Sequence, residues 1–296
     1  MRKNLILLFV ASLVSGSLIF TSSGMTASMK KEREHKKAIL LVAFGTSVPE
    51  ATKAFETIEK QVRDKYTGTE VRWAFTSRTI RSRQAAARGK IVDSPETALA
   101  KLMDEGYTHA AVLSLHVVPG EEFHDLRANS MLFAQMKGGF EKILVARPLL
   151  GNHTDMARVA DVLSSRFQVG NAGEGVIFVG HGNSRHPSDA IYVAMDSLFR
   201  DRGAGFFAGS IEGHPTAGEL LPKLAAAKVK KARLVPFMTV AGEHARNDIA
   251  GDDPESWKSA LAKNGIESTT VLSGLSEYPE IVAIWLDHLE EVFAGL

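Results

Sequence analysis

Three positions carry side chains able to hold a divalent metal ion: His181 in Gly180-His181-Gly182, Glu212 in Ile211-Glu212-Gly213-His214, and His244 in Gly242-Glu243-His244-Ala245. Each follows an apolar run of strand type. Two imidazoles and a carboxylate form a donor set of borderline softness, suited to cobalt, iron, nickel or zinc. The same groups can accept protons near neutral pH. Gly180 and Gly182 leave His181 without bulky neighbours, so a large ligand has room to approach. Taken singly, each histidine has a bland alternative as a helix cap or carbonyl partner, and Glu212 as a solvated loop carboxylate. No short motif such as HExxH joins the three. Only a fold that gathers three strand ends makes them one site.

Other chemistries fail on specifics. The chain has no cysteine, which excludes disulfides, thiolate-bound zinc, iron–sulfur clusters, covalent c-type haem and thiol catalysis. The RHG signature of histidine phosphatases needs an arginine before His181, and Gly180 stands there. Gly45-Thr46-Ser47 does not supply the GxGxxG of a dinucleotide site, and no GxxxxGK[ST] occurs. Neither Ser184 nor Ser210 has a nucleophile-elbow context. With 35 basic and 34 acidic residues the net charge is +1, so no excess charge drives nucleic-acid binding.

The elements that must position these residues read as two halves of alternating strand and helix. Strands are predicted at 38–44, 71–75, 110–118 and 143–146, then at 175–179, 206–211, 232–240 and 268–272. Helices are predicted at 49–66, 95–106, 217–227, 257–264 and 279–293. Short apolar runs ending in Gly-, Ser- or Pro-rich tips are the pattern of buried parallel strands. Strand–helix alternation then implies an α/β fold, with two similar Rossmann-like domains whose sheets carry helices on both faces. The halves echo each other: Val42–Ser47 aligns with Val179–Ser184, and Val117–Glu122 with Thr239–His244. Domains are placed at 37–165 and 174–296, with the last helix able to pack back onto the first. Ligands of open parallel sheets bind beyond the carboxyl ends of the strands. The cleft between the domains is therefore the expected site.

Residues 1–28 stand apart. Arg2 and Lys3 precede a 16-residue apolar run from Leu5 to Phe20, and small residues follow. That order is a secretory signal peptide, and the run is shorter than the roughly 20 residues that span a bilayer. Cleavage is expected within 24–28, leaving 33 basic against 34 acidic residues, no stable membrane span and a periplasmic protein.

AILLVAFGTS, AFTSRTIR, LSLHVVPGEEF, FVGHGNS, IEGHP, PFMTVAGEHARNDIAGDDPESWK and LSGLSEYPEI occur in that order. Together they closely resemble the anaerobic cobalt chelatases, the sirohydrochlorin cobaltochelatases of the class II chelatase superfamily. The likeness runs from about Lys37 to Phe293. It implies ATP-independent insertion of Co²⁺ into a reduced tetrapyrrole on the route to cobalamin, with Fe²⁺ as an alternative metal. It also implies two similar α/β domains around a cleft, and a homo-oligomer. The family's metal-site histidines match His181 and His244, and its glutamate matches Glu212. These three are the expected catalytic and metal residues. Phe44, Gly45, Thr46, Ser77, Val118 and Met238 are the expected substrate-binding residues. Arg78, Arg81 and Arg83 are candidates for the carboxylates of sirohydrochlorin.

Two features depart from that pattern. A signal peptide puts the protein away from the cytoplasm, where corrin synthesis is expected; a periplasmic haem or metal carrier on the same fold is therefore the alternative function. His124, two residues after Glu122, is an unusual imidazole near the cleft rim and a candidate axial ligand to haem.

Overall fold

The computed structural model describes residues 33–89 and 91–296. The signal-peptide expectation for residues 1–28 lies outside them.

Among the described residues, eight strands build two four-stranded, wholly parallel sheets. The first contains β1 (Lys37–Ala43), β2 (Glu70–Phe75), β3 (His109–Ser114) and β4 (Lys142–Val145), in the order β2-β1-β3-β4. The second contains β5 (Glu174–Gly180), β6 (Phe206–Ser210), β7 (Lys231–Pro236) and β8 (Glu267–Thr270), in the order β6-β5-β7-β8. The topologies coincide, and the sequence echoes fall on equivalent tips: those after β1 and β5, and those after β3 and β7. The central strands are apolar without alternation, Ala38 to Ala43 and Gly175 to Gly180 being buried throughout. Both faces of a parallel sheet are covered, so no polar face is needed.

The helices are α1 (Pro49–Lys65), α2 (Arg78–Arg88), α3 (Pro95–Asp104), α4 (Glu121–Gln135), α5 (His153–Arg166), α6 (Ala190–Arg202), α7 (Ala217–Ala226), α8 (Trp257–Lys263) and α9 (Pro279–Ala294). Side-chain caps start several of them: Ser77 for α2, Ser94 for α3, Asn152 for α5 and Ser256 for α8, each accepting from a backbone N–H of the first turn. Thr216 and Glu219 form a reciprocal capping box on α7. Among the described residues, no helix is long and apolar enough to cross a membrane.

The stretch 166–173 between the two expected domains separates the sheets, yet helices pack across it. Helix α5 packs on α6, and α9 packs on β3. The largest buried cluster accordingly mixes Ile39, Leu113 and Leu150 with Phe178, Phe199 and Trp285. Residues Glu34–Leu296 form one unit. A buried polar knot secures the crossing of α9: His288, fully buried, faces the Asp155 carboxylate at 3.0 Å and the Arg147 carbonyl at 3.1 Å. The Arg147 guanidinium donates to Asp155 at 2.9 Å and also pairs with Glu291.

Candidate active site

The strand order places the three candidate tips side by side. β5 lies between β6 and β7, so its tip residue His181 stands between the Glu212 tip and the segment leading to His244. The His181 and His244 rings are 4.5 Å apart, perpendicular to one another.

Both imidazoles have a fixed tautomer. His181 Nδ1 lies 2.8 Å from the Gly182 carbonyl, which only accepts, so Nδ1 donates its proton and Nε2 keeps its lone pair. His244 Nδ1 donates to the Asp248 carboxylate at 2.7 Å, with the same result. A carboxylate behind an imidazole orients a ligand and raises its basicity. Asp248 sits four residues on, in the short π-type turn Ala245–Ile249 that His244 opens. π turns recur at functional positions because they re-aim side chains.

Glu212 is joined to His181 through the main chain, its N–H donating to the His181 carbonyl at 2.8 Å. Its side chain is exposed and makes no hydrogen bond or ion pair among the described residues. The structure thus brings the two histidines together and leaves the Glu212 carboxylate outside their cluster. No group of three His, Cys, Asp or Glu side chains among the described residues is arranged around one metal position.

Asp189 is the buried residue that holds these loops, and the sequence reading missed it. One oxygen accepts from the Asn183 N–H at 2.8 Å and the other from the His214 N–H at 2.9 Å. One carboxylate thereby ties the loop after β5 to the loop after β6. The glycines of both loops allow the close approach. A Cβ at Gly213 would lie 2.1 Å from Asp189 Oδ2, and one at Gly180 would lie 2.2 Å from the Tyr192 ring. Gly182 has φ +78°, a conformation that favours glycine.

The carboxyl ends of the first sheet meet those of the second. Thr239 Oγ1 donates to the Leu115 carbonyl at 2.7 Å, Ser47 Oγ to Glu243 at 3.0 Å, and Asn183 to Glu121 at 3.3 Å. Phe44 stands here with 45% of its surface exposed, a large apolar face at the tip of β1. Gly45 adopts φ +102° and packs on Phe75. Val118 and Met238 are half-buried on the tips after β3 and β7. Thr46 and Ser77 play a different part: Thr46 is buried and accepts from the Val48 N–H, and Ser77 is buried and caps α2. They frame the tip. Arg81 is likewise occupied, donating to the carbonyls of Phe75 and Thr76. His116 was not singled out as a site residue; its Nδ1 meets Ser114 Oγ at 2.9 Å, and its Nε2 is buried without a partner among the described residues. His124 lies exposed in the first turn of α4, 5.6 Å from the His186 ring. A separate open hollow of about 610 Å³, lined by Asp161, Gln168, Arg202 and Phe206, lies at the opposite, amino-terminal end of the second sheet and holds no histidine.

Fold and site together define a class: a duplicated parallel α/β protein presenting imidazole ligands where its two sets of strand tips meet. Residues 37–294 match the cobalt chelatase (CbiK) family, and the chain belongs to that family. It is 42% identical over 262 residues to the sirohydrochlorin cobaltochelatase CbiKC of Nitratidesulfovibrio vulgaris, covering 88% of this chain and 92% of that protein. It is 33% identical over 257 residues to the sirohydrochlorin cobaltochelatase of Salmonella typhimurium, covering 86% and 96%. Among solved structures, SirB from Bacillus subtilis with Fe³⁺ superposes with a TM-score of 0.58 at 16% identity, covering 86% of this chain and 95% of that one. CbiX, the terminal enzyme of sirohaem biosynthesis in denitrifying bacteria, gives 0.52 at 19% identity, covering 88% and 99%. At those identities the likeness is one of fold.

Proposed function

We propose that this protein inserts a divalent metal, Co²⁺ in the first instance, into sirohydrochlorin without ATP. The observation that carries the reading is the His181–His244 pair, 4.5 Å apart with both Nε2 lone pairs free, in a chain 42% identical to a sirohydrochlorin cobaltochelatase. Metallation needs an ion that sheds its ligands and a ring that loses two pyrrole protons. His181 and His244 supply nitrogen ligands that release as readily as they bind, and Glu212 turns in as the third. Without a partner among the described residues, its carboxylate is free to follow the ion or accept a proton. Phe44, Val118 and Met238 give the macrocycle apolar contact; Gly45, Thr46 and Ser77 shape the tips beneath it. Fe²⁺ suits the same donors.

The test mixes purified protein anaerobically with sirohydrochlorin and Co²⁺, then Fe²⁺, and follows loss of the metal-free spectrum. Metallation well above the uncatalysed rate, lost in His181→Ala and His244→Ala, is the expected result. Tight tetrapyrrole binding without acceleration would make the protein a carrier.

The same reading includes export. The basic, apolar, small-residue order of residues 1–28 supports cleavage and periplasmic location, checked by amino-terminal sequencing of protein from the periplasmic fraction. Assembly as a homo-oligomer is checked by light scattering. Haem is the finer part: the exposed His124 imidazole offers one axial ligand, and a haem spectrum unchanged in His124→Ala would remove it.

A further inference from the structure

The loop that carries His244 is strapped to the first half by charge. Glu243 pairs with Arg83 of α2 and accepts from Ser47 at 3.0 Å; Arg246 reaches Glu50 of α1 at 3.6 Å. About half of each side chain of the Arg83–Glu243 pair is exposed, 51% and 47%. Such exposed pairs are weak and yield readily to a competing carboxylate.

The surroundings give that competitor a shape. Phe44 offers an exposed apolar face at the tip of β1 and is hydrogen-bonded through its carbonyl to Ser77, the cap of α2. Arg78, on the first turn of α2, makes no ion pair among the described residues, and Arg83 lies one and a half turns further along. An apolar face next to a helix that carries guanidinium groups complements a flat macrocycle with acidic arms. Glu243 sits on one of those guanidinium groups, directly before a candidate metal ligand.

We infer that Glu243 is an internal stand-in for a substrate carboxylate: sirohydrochlorin displaces it from Arg83, and the exchange frees the His244 loop as the ring docks. Arg83 is then a specificity-determining residue for the acidic tetrapyrrole, and Glu243 a latch. This deepens the chelatase reading and rests on it.

The experiment measures the Kd of metal-free sirohydrochlorin for the full chain by fluorescence titration at low salt, with no metal present. Arg83→Gln loses a partner for the ligand and binds roughly two- to five-fold more weakly. Glu243→Gln removes the competitor and binds tighter by a similar factor. The double variant matches Arg83→Gln, because the latch has nothing left to block. Weaker binding in Glu243→Gln, parallel to Arg83→Gln, would show a pair that merely braces the loop and would overturn the latch while leaving the chelatase reading intact. Wild-type protein that does not bind sirohydrochlorin would overturn both.

Discussion

His244 owes its usefulness to Asp248. With Nδ1 tied to that carboxylate, the ring is fixed in one tautomer and one orientation. Asp248→Ala is therefore expected to lower Co²⁺ affinity about 10- to 100-fold while the fold survives, measured by calorimetric titration of the protein without tetrapyrrole; unchanged affinity would mean that Asp248 is a bystander. Asp189 acts through the backbone. Its replacement by Ala leaves two N–H groups without a charged acceptor, at about 1.5–3 kcal/mol each, and should loosen the loops after β5 and β6 together. The check is amide exchange at Asn183 and His214: both should accelerate, and acceleration at one alone would show that the loops are held separately. Much of this scale was legible in the sequence, but unevenly. His181, Glu212 and His244 announce themselves as polar residues just after apolar runs. Asp248 was available as an i,i+4 partner of His244 and was overlooked, because the segment after β7 does not read as helical. Asp189 gives no signal: it acts on His214, 25 residues away, and that proximity exists only once β5 and β6 pair.

At the scale of elements, all eight strands show in the sequence, most plainly β1, β3 and β5, whose centres are short uninterrupted apolar runs. Their ends do not: β3 stops at Ser114 and β7 at Pro236, several residues before the apolar run ends, because the chain turns there to bridge the two sheets. Four helices, α2, α4, α5 and α6, are absent from the sequence expectation. Helix α2 opens with three arginines among its first six residues, and only Gln84 of its second turn is buried to carry a stripe. Helices α4, α5 and α6 do bury a stripe at helical spacing, Met156, Val159, Ala160 and Leu163 in α5 for example, and the sequence reading passed over it. The junction of β5 with α6 tests how tightly an element positions the site. Gly180 lets the Tyr192 ring lie against the strand end, and the Tyr192 hydroxyl is 3.5 Å from the Gly182 N–H. Gly180→Ala should cost about 1–3 kcal/mol of stability and displace His181. Tyr192→Phe keeps the ring and should leave stability within about 1 kcal/mol of wild type. Urea unfolding of both decides it; equal losses would mean that the hydroxyl, and not the packing, holds the turn.

For the whole molecule, the duplicated halves were visible in the sequence, whereas their fusion by α5 and α9 was hard to see, because an amphipathic helix does not declare which sheet it covers. One consequence of that burial is a stability that depends on acid. Burial holds His116 at about 4, and His109 and His288 also lie below the ordinary imidazole value, burial being the leading cause for each. A histidine lowered by folding binds its proton better in the unfolded chain. Its contribution is therefore fully present above the unfolded value of 6.5 and is lost as the pH falls from there toward the folded value. For His116 the window is 6.5 down to about 4, and at its lower end the loss amounts to about 3 kcal/mol. The lowered carboxylates, such as Glu96 and Glu291, act in the same direction but begin near their unfolded value of 4.5. The range between 6.5 and 4.5 thus belongs to the histidines. Urea midpoints measured across it should fall for the wild-type protein and fall distinctly less for His116→Gln, in which no imidazole waits at the end of β3 to be charged. Parallel slopes in the two proteins would show that the His116 ring gains water, or a partner for Nε2, before it takes up a proton.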